Sequence, residues 1–248
     1  MIIHSFFYIL KSDRYTNRYI VGMDSYFDRS VKESGVGALF ITFEGIEGCG
    51  KTTQVKRLEK RLSDHRIPFV VTLEPGGTEL GKRIRKLLLD SNNNTIFPLT
   101  ELILYIADRA QHVEEVIKPA LEMDKWVICD RFFDATVAYQ GAARGQDMEL
   151  IRILNEKAAQ GIKPDITFLL DCPVEMGLDR ARRRNRALPL DGQDRFEREE
   201  MKFHRDVRMG YLEIAKREDR RFTIIDATMS ENRMEQAIFE VLMPFLKT

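Results

Sequence analysis

The segment Gly45-Ile46-Glu47-Gly48-Cys49-Gly50-Lys51-Thr52 follows a run of strand-forming residues, Leu39-Phe40-Ile41-Thr42-Phe43, and precedes an amphipathic helical pattern. A strand that turns through three glycines straight into a helix constrains the fold strongly, because strand-then-helix units of this kind build parallel sheets. Glycines let the backbone wrap close to phosphate oxygens, successive N–H groups point inward, and the helix offers its positive end to an anion. Lys51 is expected to bridge the β- and γ-phosphates of a nucleoside triphosphate, and Thr52 to offer its hydroxyl to Mg²⁺. Gly45, Ile46, Glu47, Gly48, Cys49, Gly50 and Thr53 complete the expected phosphate-binding set. The bare alternative is a tight glycine turn. Cys49, beside a lysine and a helix N-terminus, reads either as a redox-sensitive thiol or as a small filler residue.

Four more strands follow the first, at Pro68–Leu73, Trp126–Asp130, Ile166–Asp171 and Phe222–Asp226, each short and apolar with helical stretches between them. The pattern predicts an α/β fold of the P-loop NTPase type, a five-stranded parallel sheet flanked by helices, with ligand loops at the strand C-termini. The longest helical candidate, Leu99–Glu122, carries an apolar stripe interrupted by Arg109, and Pro119 is expected to bend or end it. The catalytic domain spans 38–248. Residues 1–37 read either as a loosely attached extension or as a product of start-site choice, with Met23 an internal alternative.

Composition narrows the partners. Lys plus Arg and Asp plus Glu both total 39, so no global positive field holds a nucleic-acid backbone, and a small phosphorylated ligand suits the balance better. A mean hydropathy of -0.31 and an apolar opening too short to span a bilayer argue against membrane residence. Three cysteines without metal-ligand spacing argue for a reducing, cytoplasmic location.

Other motifs are individually weaker. Asp130-Arg131 at the tip of the third strand reads as a carboxylate orienting Mg²⁺ beside a phosphoryl-binding arginine, or as a surface ion pair. Glu74-Pro75-Gly76-Gly77-Thr78 opens a helix that can point Arg85 at a second phosphate, or is a helix-entry loop with Thr78 as N-cap. The basic run Arg180, Arg182, Arg183, Arg184 and Arg186 reads as a solvated face, a nucleic-acid patch, or an arginine-rich lid that closes over the triphosphate.

Taken together, Phe43-Glu44-Gly45 leading into the glycine loop, Glu74-Pro75-Gly76-Gly77-Thr78, Asp130-Arg131-Phe132, Ala138-Tyr139-Gln140-Gly141 and the arginine-rich segment resemble the bacterial thymidylate kinase family from about Ala38 onward. The resemblance implies phosphoryl transfer from ATP-Mg to dTMP by direct in-line displacement, giving dTDP and ADP, in a homodimer formed through helices. It implies that Tyr105 stacks on thymine while Arg109, four residues on, donates to its O4; without it the pair reads as a core aromatic and a snorkelling arginine. Thr136 and Gln140 then face the base, Tyr139 crowds the sugar 2′ position, Glu47 accepts from the 3′-hydroxyl, and Arg85 and Arg131 hold the dTMP phosphate beside Glu74 and Pro75. Gly48 occupies a position where one class of the family carries a catalytic arginine, so Arg184 of the lid is expected to act instead, with Arg180 and Arg182 next to it.

Overall fold

Phe40-Ile41-Thr42-Phe43-Glu44 forms β1 (Phe40–Glu44), every residue of which is buried, as a strand needs when both faces of its sheet are covered. The computed structural model describes residues 37–91, 95–187 and 195–246; the expected extension, Gly37 excepted, and the lid positions Pro189, Gly192 and Asp194 lie outside the described residues. The other strands are β2 (Phe69–Leu73), β3 (Trp126–Asp130), β4 (Ile166–Asp171) and β5 (Phe222–Asp226). All pair in parallel in the order β2-β3-β1-β4-β5. The strand set read from sequence is the strand set observed, with β1 shifted by one residue at both ends and β2 starting one residue later.

Alternation along β1 divides the core. Phe40 packs with Val127, Cys129 and Phe132 in one cluster, whereas Ile41 and Phe43 join the larger one built with Val55, Leu58 and Leu62 of α1 (Lys51–Asp64). On the smaller side, Thr42 and Thr167 share a hydroxyl hydrogen bond of 2.8 Å, and Arg221 donates to Thr167 and to both oxygens of buried Asp134 at 2.7 and 2.8 Å. Deleting one partner of a buried pair like this costs about 3–5 kcal/mol, because the other charge is left without solvation.

Between β2 and β3 run α2 (Glu79–Leu89) and α3 (Pro98–His112). Pro119 does not end the third helix as expected. A π turn at Val113–Ile117 follows α3, and the chain continues helically through α4 (Lys118–Glu122) with Pro119 in its first turn, where a missing N–H costs least. After β3, α5 (Phe133–Thr136) passes into a π-helical stretch, Val137–Ala143, and then α6 (Met148–Ala159). The arginine run lies on α7 (Val174–Ala187), as expected, and α8 (Met201–Arg217) and α9 (Glu231–Leu242) complete the layers. Because β1 lies between β3 and β4, the crevice beyond its C-terminus opens where the strand order reverses, the usual place for a ligand in an open α/β sheet.

Candidate active site

The loop after β1 enters α1 through Gly50 in the left-handed region, with no side-chain cap and no acid in the first turn. By contrast α2, α6 and α9 are capped by Thr78, Asp147 and Ser230 and carry a glutamate in their first turns. The first amides of α1 are therefore left for an external anion. Lys51 is buried and its Nζ donates to the carbonyls of Gly45 and Ile46 at 3.0 and 2.9 Å, so its charge sits inside the loop. Cys49 is fully buried beneath it, which favours the filler reading over a reactive thiol.

Gly48 is fixed by two constraints. Its φ is +69°, and a Cβ there would lie 1.9 Å from the carbonyl oxygen of Gly177 on α7. No side chain, an arginine included, fits at this position while α7 holds its place.

Thr52 donates to Asp130 across 2.8 Å at the solvent-facing edge of the loop. Mg²⁺ takes one or two protein oxygens and fills its octahedron with phosphate and water, so this hydroxyl and carboxylate fit it without a dedicated protein cage. Among the described residues there is no group of three or more His, Cys, Asp or Glu side chains placed to hold a metal.

Arg131 sits at φ +73°, a conformation that costs a non-glycine residue about 1–3 kcal/mol and recurs at ligand sites. The turn aims its guanidinium back over the sheet end, where it donates to Tyr211 at 3.0 Å and to Glu47 at 3.2 Å and lies over the Tyr139 ring. Tyr139, on the π-helical stretch, donates to the same Glu47 oxygen, Oε1. Burial alone would raise the Glu47 carboxyl, but His204, Arg131, Lys51 and Tyr139 together hold it at about 2. Glu44 behaves oppositely: burial and the charge of Asp134 push it up to about 8, against Arg131, the Tyr211 hydroxyl and the Phe132 amide.

Arg85, on α2, reaches the same crevice and donates to the carbonyl of Pro75 at 2.8 Å. Burial lowers its pKa, Tyr105 and Asp130 oppose that shift, and Arg131 adds to it.

Arg109 and Glu74 meet in one buried network. Arg109 does not snorkel: it is 1% exposed, donating Nε to Glu74 at 2.9 Å, Nη1 to Asn155 at 2.6 Å and Nη2 to Thr136 at 3.1 Å. Glu74 is consumed by this network, since its other oxygen lies 2.9 Å from His112 Nδ1 and His112 Nε2 lies 2.6 Å from Thr72. Both expected base-facing residues, Thr136 and Gln140, are buried, and Gln140 donates to Glu101 at 2.9 Å. Tyr105 is half-buried on α3, one turn before Arg109.

The lid candidates are spread. Arg180 donates to the Ala227 carbonyl at 2.9 Å, while Arg182 is exposed; Arg184, also exposed, reaches Glu197 at 3.1 Å on the chain beyond residues 188–194. Sequence reasoning missed His204, Tyr211, Asn155, Glu101 and Asp108, the last pushed up to about 6 by burial and by Glu74. His204 lies among the apolar α8 residues Phe203, Val207, Tyr211 and Ile214, so it reads as an incidental position on a core stripe.

A cavity of about 450 Å³ opens beside Glu101, lined by Ser91, Ile96, Pro98, Arg144, Arg195 and Glu199 among others, none of which belongs to the glycine loop.

Comparison with known proteins agrees with this geometry. The family model described as thymidylate kinase matches residues 43–238. The thymidylate kinase of Geotalea uraniireducens is 52% identical over 199 residues, 80% of this chain and 93% of the relative, and that of Desulfosudis oleivorans is 57% identical over 190 residues, 76% and 89%. Among solved structures, the crystal structure of thymidylate kinase from Ehrlichia chaffeensis superposes with a TM-score of 0.67 at 36% identity, covering 83% of this chain and 99% of that one. With a glycine loop, two arginines and an ordered set of motifs all spanned by the match, the chain belongs to the thymidylate kinase family.

Proposed function

We propose that this chain transfers the γ-phosphoryl group of ATP to dTMP by in-line displacement, giving dTDP and ADP. The observation that carries the reading is a second cationic position: Arg85 acts electrostatically on Asp130 and Arg131, and Arg131 donates to Glu47 of the glycine loop at 3.2 Å. A nucleotide hydrolase or switch needs one phosphate site; a second one beside it suits a phosphorylated acceptor.

In this reading the amides of residues 45–52 and Lys51 hold the donor phosphates, and Thr52 and Asp130 hold Mg²⁺. Mg²⁺, when bound, supplies neutralisation of the charge that spreads over the transferring phosphoryl oxygens. Arg131 orients the acceptor phosphate together with Arg85, and catalysis is positioning plus charge compensation, completed by Arg184 or a neighbouring lid arginine. Tyr105 offers a ring face to thymine. Asn155 takes one Nη1 hydrogen of Arg109, and the other is the donor left for the base carbonyl. Glu47 accepts from the sugar hydroxyl.

A homodimer is also part of the proposal. The mutually packed α2, α3 and α6 expose Leu80, Leu99, Ile103, Leu150 and Ile153, an apolar face suited to a second copy. Three free, buried thiols suit a reducing cytoplasm.

The test is product analysis by chromatography after incubating the purified protein with ATP-Mg and dTMP, dUMP, dCMP, UMP or dGMP. The expected result is dTDP well above every other diphosphate; ADP without any phosphorylated acceptor would overturn the assignment.

A further inference from the structure

Two buried polar atoms that make no well-formed hydrogen bond among the described residues face each other: Oε2 of Glu47 and Nδ1 of His204. His204 is wholly buried on α8, its ring set edge-on against Phe203 at 5.6 Å between centroids. Its Nδ1 lies 3.3 Å from Glu47 Oε2, and the imidazole is among the groups that lower the Glu47 carboxyl, so the two meet in a loosely formed contact. The other Glu47 oxygen is fully engaged by Tyr139 and Arg131. Leaving a buried donor or acceptor poorly paired costs about 1–3 kcal/mol, so the loosely held Oε2 marks a place completed by something that binds.

We infer that His204 is a positioning residue for Glu47, holding Oε2 at the one point from which it accepts the sugar 3′-hydroxyl of the acceptor nucleotide. The inference rests on the reading of Glu47 given above and adds to it the imidazole that fixes which oxygen is offered. Tyr139 and Arg131 anchor Oε1 from one side, and His204 anchors Oε2 from α8. The carboxylate then cannot rotate away when the acceptor is absent, and the hydroxyl meets an oriented acceptor already stripped of water. The histidine touches no reacting atom. Its effect falls on substrates that carry the hydroxyl and is absent from substrates that lack it.

The experiment compares dTMP with 3′-deoxy-dTMP, using kcat/KM for each and the ratio between them. His204→Phe keeps the ring and removes the donor, His204→Asn keeps a donor near the Nδ1 position, and His204→Gln moves it toward Nε2. Expected is a fall in the dTMP to 3′-deoxy-dTMP ratio of about tenfold in His204→Phe, carried mainly by the KM for dTMP, with 3′-deoxy-dTMP turnover unchanged. His204→Asn restores most of the ratio and His204→Gln does not. Equal losses on both substrates, or no loss on either, overturn the inference. If His204→Phe fails to fold, the Asn and Gln variants decide: equal ratios in the two refute it. Glu47→Gln separates the two levels of the claim. A collapsed ratio in Glu47→Gln with an intact one in His204→Phe refutes His204 alone, whereas an intact ratio in Glu47→Gln refutes the assignment of Glu47 itself.

Discussion

Gly48 and Gly145 share a backbone conformation, with φ of +69° and +67°, but not a surrounding: nothing lies within 4 Å of a Cβ built at Gly145, whereas at Gly48 it meets the Gly177 carbonyl oxygen at 1.9 Å. Gly145→Ala therefore carries only the left-handed strain, about 1–2 kcal/mol. Gly48→Ala carries the same strain and must also open the contact from 1.9 Å to at least the 3.0 Å that real Cβ contacts keep, moving the glycine loop or α7 by more than an ångström. Forced repacking of that kind costs about 1–3 kcal/mol more, for a total of about 2–5 kcal/mol. At about 2–4 °C per kcal/mol for a chain of this size, Gly48→Ala loses roughly 4–20 °C of Tm and Gly145→Ala roughly 2–8 °C. Differential scanning calorimetry of the two variants and the parent measures both, and steady-state kinetics adds a second readout. The KM for ATP rises in Gly48→Ala and stays put in Gly145→Ala. Melting temperatures of the two variants within 2 °C of each other would refute the claim that loop and helix are locked together.

Arg85→Ala is expected to raise the KM for the nucleotide acceptor at least tenfold and leave the KM for ATP and the Tm nearly unchanged. Among the described residues its hydrogen bond goes to a carbonyl, and burial already works against its charge; a Tm loss above 5 °C would show that it is structural instead. Glu47 has a carboxyl held at about 2 rather than 4.5, so its contribution is fully present above pH 4.5 and is lost as pH falls toward 2. The difference in unfolding free energy between wild type and Glu47→Gln, from urea titrations, should shrink by about 2 kcal/mol between pH 5 and pH 3; a difference independent of pH contradicts the shift.

Strands were legible because each is a short apolar run ending at a polar residue, and in a parallel sheet covered on both sides such runs have few other uses. The glycine loop was legible because strand, turn and helix are contiguous. Arg109 shows where this stops. Its isolation on an apolar stripe was visible, but its partners Glu74, Thr136 and Asn155 are 35, 27 and 46 positions away, and no local periodicity encodes such a meeting. The same distance hides His204 from Glu47. At Pro119 the helix does not end at once, because a π turn ahead of it rearranges the hydrogen bonding that a proline would otherwise break.

Glu101 gives the molecule a further property. This buried carboxylate accepts from Gln140 and Arg144 through one oxygen and pairs with Arg195 through the other, and Arg195 is the first described residue after positions 188–194. Gln140 stands on the acceptor side and Arg195 on the side of the arginine-rich segment, so any rearrangement of Glu101 favoured by one is felt by the other. By thermodynamic linkage, whatever free energy a change at Gln140 adds to the Glu101–Arg195 pair, a change at Arg195 returns to the Gln140 contact in equal measure.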